Sequence, residues 1–230
     1  MKQILYIFLL LPMFLWSQTN FEKGEKFFSE QKYILAKSYF EAHLKQSRDF
    51  GTTHLKTIEY LGDIEGHNKT WDNAIIYYAK LKKIKPNEAN YHYKYGVALG
   101  RKASESNKFK AFGMIDEVKA SFEKAIALNP KHLEARWALI EFYLQLPGIF
   151  GGSEKKATAY ANELAQLSPV DGYLAKGRIA EYFERFKEAE KQYIKAHEIG
   201  KSKVTYQKLY NLYKNKLKQP DKAKALKIET

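Results

Sequence analysis

Apolar positions along the chain recur with a helical period and do not alternate. Leu174, Ile179, Tyr182, Phe183 and Phe186 form one stripe, and Ala189, Tyr193 and Ala196 continue it after a turn. Leu209, Leu212, Tyr213 and Lys216 line one side of a later segment. Phe109, Phe112, Ile115 and Val118 share a single helical face, which predicts one helix running from Phe109 through Val118. No stretch sustains period-two alternation between turn residues, so the expected class is all-α. The start of the chain differs. Lys2 precedes an unbroken apolar run from Ile4 to Trp16, followed by the polar residues Ser17, Gln18, Thr19 and Asn20. Spanning a bilayer takes roughly 20 apolar residues, and this shorter run contains Pro12. The pattern predicts a signal peptide at residues 1–17 and an exported, soluble protein from residue 18 on, most simply periplasmic, with secretion as the alternative; an uncleaved anchor is the rival reading.

Self-similarity organises the rest. A glycine, an alanine twelve residues on, an aromatic four further and a small or apolar residue three beyond occur as Gly24, Ala36, Phe40, His43. The same frame returns as Gly62, Ala74, Tyr78, Leu81 and as Gly177, Ala189, Tyr193, Ala196. Its second half alone recurs as Val118, Phe122, Ala125 and as Ala157, Ala161, Leu164, and prolines follow at Pro86, Pro130 and Pro169. Small residues let paired helices approach, the aromatic fills the space beside them, and proline helps end the second helix. This frame resembles the tetratricopeptide repeat, a helix-turn-helix unit of 34 residues. The resemblance implies a right-handed α-solenoid over residues 18–230, with units starting near 17, 55, 89, 133, 170 and 204. That amounts to about five repeats and a basic C-terminal capping pair, each pair burying its apolar face on the next.

Two segments depart from the period. The third unit is about ten residues too long between Gly100 and Val118. The fourth carries LPGIFGGSEKKA between its helices, which looks like a Pro-Gly-x-x-Gly-Gly turn of bacterial exported tetratricopeptide proteins. Gly151, Gly152 and Ser153 before a helix with lysines nearby are a candidate anion-binding loop. They do not match the phosphate-loop spacing, and no strand precedes them. The other reading is structural: the glycines supply unusual backbone angles, Ser153 caps the helix, and Ile149 and Phe150 pack on the core.

Composition narrows the chemistry. With no cysteine among 230 residues, disulfides, thiol catalysis, Cys-ligated zinc and lipid attachment at the signal junction are excluded. His43, His54, His67, His92, His132 and His197 are scattered without metal-ligand spacing, and Ser, His and Asp lack a nucleophile-elbow context. No metal, cofactor or catalytic residue is therefore expected. What remains is surface. By family resemblance, the concave groove of the solenoid is lined by first helices, here at Glu59, Asp63, Tyr93, Val97, Arg101, Trp137, Phe142, Arg178, Tyr182 and Lys208. Aromatics and arginines dominate binding hot spots, which makes Tyr93, Arg101, Trp137 and Arg178 the candidate partner contacts. The alternative is that Tyr93 and Trp137 pack between helices. Phe21 and Glu25 stand where chaperone-tail binders of this family carry Lys and Asn, which argues against that partner.

The net charge is +13, and residues 201–230 hold nine lysines against Asp221 and Glu229. This end fits either a solvated capping helix or a basic amphipathic helix for an anionic membrane or cell-wall polymer. No nucleic-acid recognition motif is present. The sequence thus points to an exported, non-catalytic scaffold that binds a protein or peptide. The alternatives are a peripheral envelope-binding protein using its Lys-rich end, or a small-anion binder using the Gly-rich loop.

Overall fold

The computed structural model describes residues 18–47 and 51–226. The expected signal peptide at 1–17 lies outside the described residues, as do residues 227–230 of the basic end. Every regular element among the described residues is helical, and the chain forms two compact units that divide between Ile64 and Glu65.

The first unit holds α1 (Asn20–Ser29), α2 (Tyr33–Gln46) and most of α3 (Thr52–His67). Thr19 opens α1 with a capping box: its hydroxyl accepts from the Glu22 amide while the Glu22 carboxylate accepts from the Thr19 amide. Phe40 on α2 is fully buried and lies over Gly24 on α1, where an added Cβ would stand 2.5 Å from its ring. Its other neighbours are Phe21 at 6.1 Å between ring centroids and Tyr60 of α3, stacked at 4.8 Å. The Tyr60 hydroxyl donates to Glu25 across 3.1 Å.

The second unit continues with α4 (Trp71–Ile84), α5 (Ala89–Glu105), α6 (Lys108–Phe112), α7 (Ile115–Leu128), α8 (Leu133–Gln145), α9 (Glu154–Leu167), α10 (Pro169–Tyr182), α11 (Phe186–Gly200), α12 (Lys203–Asn211) and α13 (Pro220–Ala225). Helices pack on their successors as α4/α5, α5/α7, α7/α8, α8/α9, α9/α10, α10/α11 and α11/α12, while α8 also touches α5 and α10. This is an all-α solenoid of stacked helix pairs. Tyr193 of α11 runs along Gly177 of α10, and Phe122 of α7 along Gly96 of α5. A side chain at either glycine would occupy the space of a buried ring. Between α12 and α13, Leu212–Lys216 forms a π-helical turn.

Three tight turns between paired helices pivot on residues in the left-handed region: Gln31 (φ 58°), Lys69 (φ 59°) and Glu184 (φ 58°). In each, the following amide reaches back over the turn, as Lys32 to Phe27, Thr70 to Glu65 and Arg185 to Ala180 at 2.8–2.9 Å. This closure satisfies carbonyls that the helix end leaves open.

The insertion in the third unit corrects the sequence expectation. Phe109 and Val118 are not on one helix. Asn107 caps the short α6 through the Lys110 amide, Gly113 ends it, and α7 begins afresh at Ile115. Helical spacing across Phe109, Phe112, Ile115 and Val118 therefore spans a break between two helices, and Phe109 and Phe112 are exposed.

Candidate partner-binding face

The four residues singled out for partner contact lie on three first helices of the second unit: Tyr93 and Arg101 on α5, Trp137 on α8 and Arg178 on α10. Tyr93 is half-buried, with its ring 6.1 Å from Phe122 and 5.0 Å from His132, and burial first, then the Glu134 charge, raises its phenol pKa. Arg101 is exposed near the C-terminal end of α5.

Trp137 and Arg178 are engaged between repeats. The Trp137 indole donates to Asp171 across 2.9 Å, and Asp171 also accepts from the Ser168 hydroxyl. Arg178 forks onto Glu141 through two bonds of 2.8 and 2.9 Å. Partial burial works against the Arg178 charge, but Glu141 outweighs it and the guanidinium pKa is raised. Bidentate geometry makes this one of the stronger forms of ion pair. Both ties join α8 to α10. Arg136, buried on α8, similarly reaches Glu163 of α9 at 2.9 Å. Glu141 and Asp171 were not singled out by sequence, although each sits about one repeat from its partner, 37 and 34 residues away. A complementary pair at the repeat distance is the signal that would have found them.

Beside these ties the first helices present further aromatic surface. Arg178 lies 5.5 Å from the Tyr182 ring, and Tyr182 stands edge-on to Phe183. Tyr182 is exposed, Phe142 and Val97 are half-buried, and Lys208 on α12 is exposed. Glu59 and Asp63 belong to α3 of the first unit and are half-buried.

The Gly-rich segment is built from within. Gly148–Phe150 is a single 3-10 turn, Gly151 takes φ 97°, and a Cβ on Gly152 would run into the Leu146 carbonyl. The amides of Phe150, Gly151, Gly152 and Ser153 donate to Pro147, Gly148, Pro147 and Tyr143 carbonyls at 2.9–3.1 Å. The Ser153 hydroxyl accepts from the Lys156 amide and caps α9. An anion at this helix start would compete with bonds already made. One part of the structural reading fails: Ile149 is 86% exposed and Phe150 only partly covered, so neither is buried in the core.

The basic C-terminal end is partly held by its own neighbours. Lys222 of α13 lies 3.0 Å from Glu190 of α11, which is buried and also meets Lys187 at 3.3 Å. Burial alone would raise the Glu190 pKa, but hydrogen bonds from Lys222 and Lys187 outweigh it and bring it below the ordinary carboxylate value. Lys214 and Lys216 stand over Tyr210 and Phe186. Among the described residues no group of three or more His, Asp or Glu side chains is placed to hold a metal ion, and no helix is long and apolar enough to cross a membrane.

No family model and no curated protein matches the sequence. Solved structures do match. The tetratricopeptide protein TTC0263 of Thermus thermophilus aligns with a TM-score of 0.64 at 17% identity, covering 90% of this chain and 98% of that one. PilW, a type IV pilus biogenesis factor, gives a TM-score of 0.64 at 17% identity over 90% and 89% of the two chains. YrrB, a tetratricopeptide protein with an unusual peptide-binding site, gives 0.51 at 14% identity over 79% and 85%. With its stacked helix pairs and glycine-aromatic contacts, the chain has the tetratricopeptide-repeat fold.

Proposed function

We propose that this protein is a non-catalytic scaffold that binds a protein or peptide segment along the first helices of its second unit, and that it works as an exported protein of the cell envelope. The observation that carries this reading is the row of half-buried and exposed aromatic and charged side chains on adjacent helices α5, α8 and α10. Tyr93, Trp137, Phe142 and Tyr182 supply rigid area, and Arg178 keeps guanidinium N–H groups beyond those bonded to Glu141, in the combination that dominates hot spots. Trp137 and Arg178 are pre-ordered by Asp171 and Glu141, so little side-chain entropy remains to be lost when a partner covers them. Charges of both signs along the row suit a peptide carrying both apolar and ionic groups. The similarity of the fold to that of YrrB, whose own site takes peptides, is consistent with this use.

The test must separate binding from stability, because Trp137 and Arg178 also join repeats. A photo-crosslinking amino acid replacing Tyr182 should capture a discrete partner in envelope extracts, and Arg101→Glu should abolish that capture without changing the melting temperature. The same crosslinker replacing exposed Lys191 on α11 should capture nothing. Equal capture from both positions would refute the assignment of this face.

A further inference from the structure

The two segments that break the repeat period meet in space. Phe112 of the α6 insertion and Phe150 of the Gly-rich loop lie 5.5 Å apart between ring centroids, although 38 residues separate them in sequence. Around this contact the surface is unusually apolar: Phe109 is 93% exposed, Ile149 86% and Phe112 61%. Contiguous exposed apolar residues on a soluble fold mark an interaction site. Backbone hydrogen bonds and glycine geometry fold the turn, and of its side chains Phe150 makes the contact with Phe112, so nothing about folding requires the exposed Ile149 to be apolar.

Lysines are interleaved with these residues. Helix α6 reads Lys108-Phe109-Lys110-Ala111-Phe112, and Lys155 and Lys156 follow the loop. Lys108, Lys110 and Lys155 are exposed and pair with no carboxylate among the described residues, whereas Glu154 beside them is held by Arg185. The apolar tips are thus flanked along the chain by lysines outside any ion pair among the described residues. This mixture decides between kinds of partner. The core of a protein interface is depleted in lysine, since each ammonium group buried there must be desolvated and paired. The interfacial zone of an anionic bilayer accepts both at one depth: aromatic and aliphatic tips enter the headgroup-acyl boundary while lysines stay among phosphates. Side chains that project almost fully into solvent also need no complementary pocket in such a medium.

We infer that the α6 insertion and the Gly148–Phe150 turn together form a membrane-docking tip that inserts Phe109 and Ile149 into the interfacial region of an anionic phospholipid bilayer. This surface is separate from the first-helix row on α5, α8 and α10, and either assignment stands without the other.

Co-sedimentation of the chain from residue 18 onward with vesicles of phosphatidylglycerol and phosphatidylcholine tests it, with pure phosphatidylcholine as the control. The bound fraction should be high on mixed vesicles, low on the neutral ones, and weakened by salt. Phe109→Ser with Ile149→Ser should lower the apparent partition coefficient at least about tenfold, and Lys108→Glu with Lys110→Glu should do the same. Neither pair should change the helical circular dichroism or the melting temperature, because the four side chains are exposed. Phe109→Trp should show a blue-shifted emission on mixed vesicles only. Three results would overturn the inference: no binding of the parent chain to anionic vesicles, unchanged binding of the Phe109→Ser, Ile149→Ser variant, or loss of binding only when the C-terminal lysines are removed. Concentration-dependent self-association that the same serine pair abolishes, with no vesicle binding, would assign the tip to a second copy and refute the lipid.

Discussion

Replacing Gly177 by alanine should destabilise the protein, although the same change in the middle of an ordinary helix would stabilise it. Tyr193 is fully buried and lies lengthwise on α10, passing over Gly177 so that its hydroxyl can donate to Glu181 at 2.8 Å. An alanine Cβ would stand 2.5 Å from Tyr193 Cδ1, closer still to Cε1, and 3.0 Å from Cζ. Carbon atoms prefer about 3.5–4.0 Å, so the ring must retreat by roughly 1 Å into a site with no free space. Overpacking of this kind costs about 1–3 kcal/mol, and losing the hydroxyl bond would add about 1 kcal/mol. Against this, alanine gains about 1 kcal/mol of helix propensity over glycine. The expected net loss is about 2 kcal/mol, read as a lower denaturation midpoint by far-ultraviolet circular dichroism at unchanged slope. In a Tyr193→Leu background the obstructing ring is gone and only the propensity gain remains, so Gly177→Ala should then stabilise by about 1 kcal/mol. This reversal of sign is the decisive result. If Gly177→Ala has the same sign in both backgrounds, the ring contact is not what selects glycine here.

Two other expectations concern protonation. The Tyr95 phenol, buried and bonded to Glu117 at 2.6 Å, is pushed up to about 12, first by burial and then by that carboxylate. An unfolded tyrosine ionises near 10, so above that pH the unfolded state releases its proton first, and stability falls as pH rises from about 10 toward about 12. Tyr95→Phe should flatten the decline in melting temperature over this window; an unchanged decline would contradict the assignment. At the other end of the scale, Glu190 has a depressed pKa, so its contribution is present above the ordinary carboxylate range and lost as pH falls through its folded value. Lys222→Ala should release α13 at neutral pH at a cost of about 1 kcal/mol, seen as faster amide exchange in Pro220–Ala225, and acid should release α13 in the parent chain too. Equal exchange in parent and variant at neutral pH would show that α13 is held by other contacts.

The helical pairs were legible because small and large residues complement each other at fixed spacing. Gly24 with Phe40 and Gly177 with Tyr193 reproduce in three dimensions the frame read along the chain. The same contact between Gly96 and Phe122 was hidden, since α6 intervenes and shifts the distance between them. Spacing also misled at Phe109 to Val118: period counts faces, and it does not register the break at Gly113 and Met114 that separates α6 from α7. The left-handed residues Gln31, Lys69 and Glu184 carry no sequence signature, because each adopts an angle for which glycine is the usual marker. Of the candidate binding residues, Arg101 and Tyr93 occupy the expected first helix. Trp137 and Arg178 occupy theirs too, but hydrogen bond to carboxylates on a neighbouring repeat, which no local pattern reveals.

The ties from Trp137 to Asp171 and from Arg178 to Glu141 also bear on how this part of the chain responds to force. They cross-brace α8 and α10 at two points one helical turn apart on α8, so separating the two helices breaks directional bonds as well as apolar contact. Between α5 and the start of α8 one contact is the approach of Tyr93 to the His132 ring, which can slide without breaking a bond. Under tension or bending, the span from residue 133 to residue 182 should behave as a stiff segment, and strain should collect at its junction with α5. Within the second unit, a load should be felt first at the edge of the braced region, beside Tyr93.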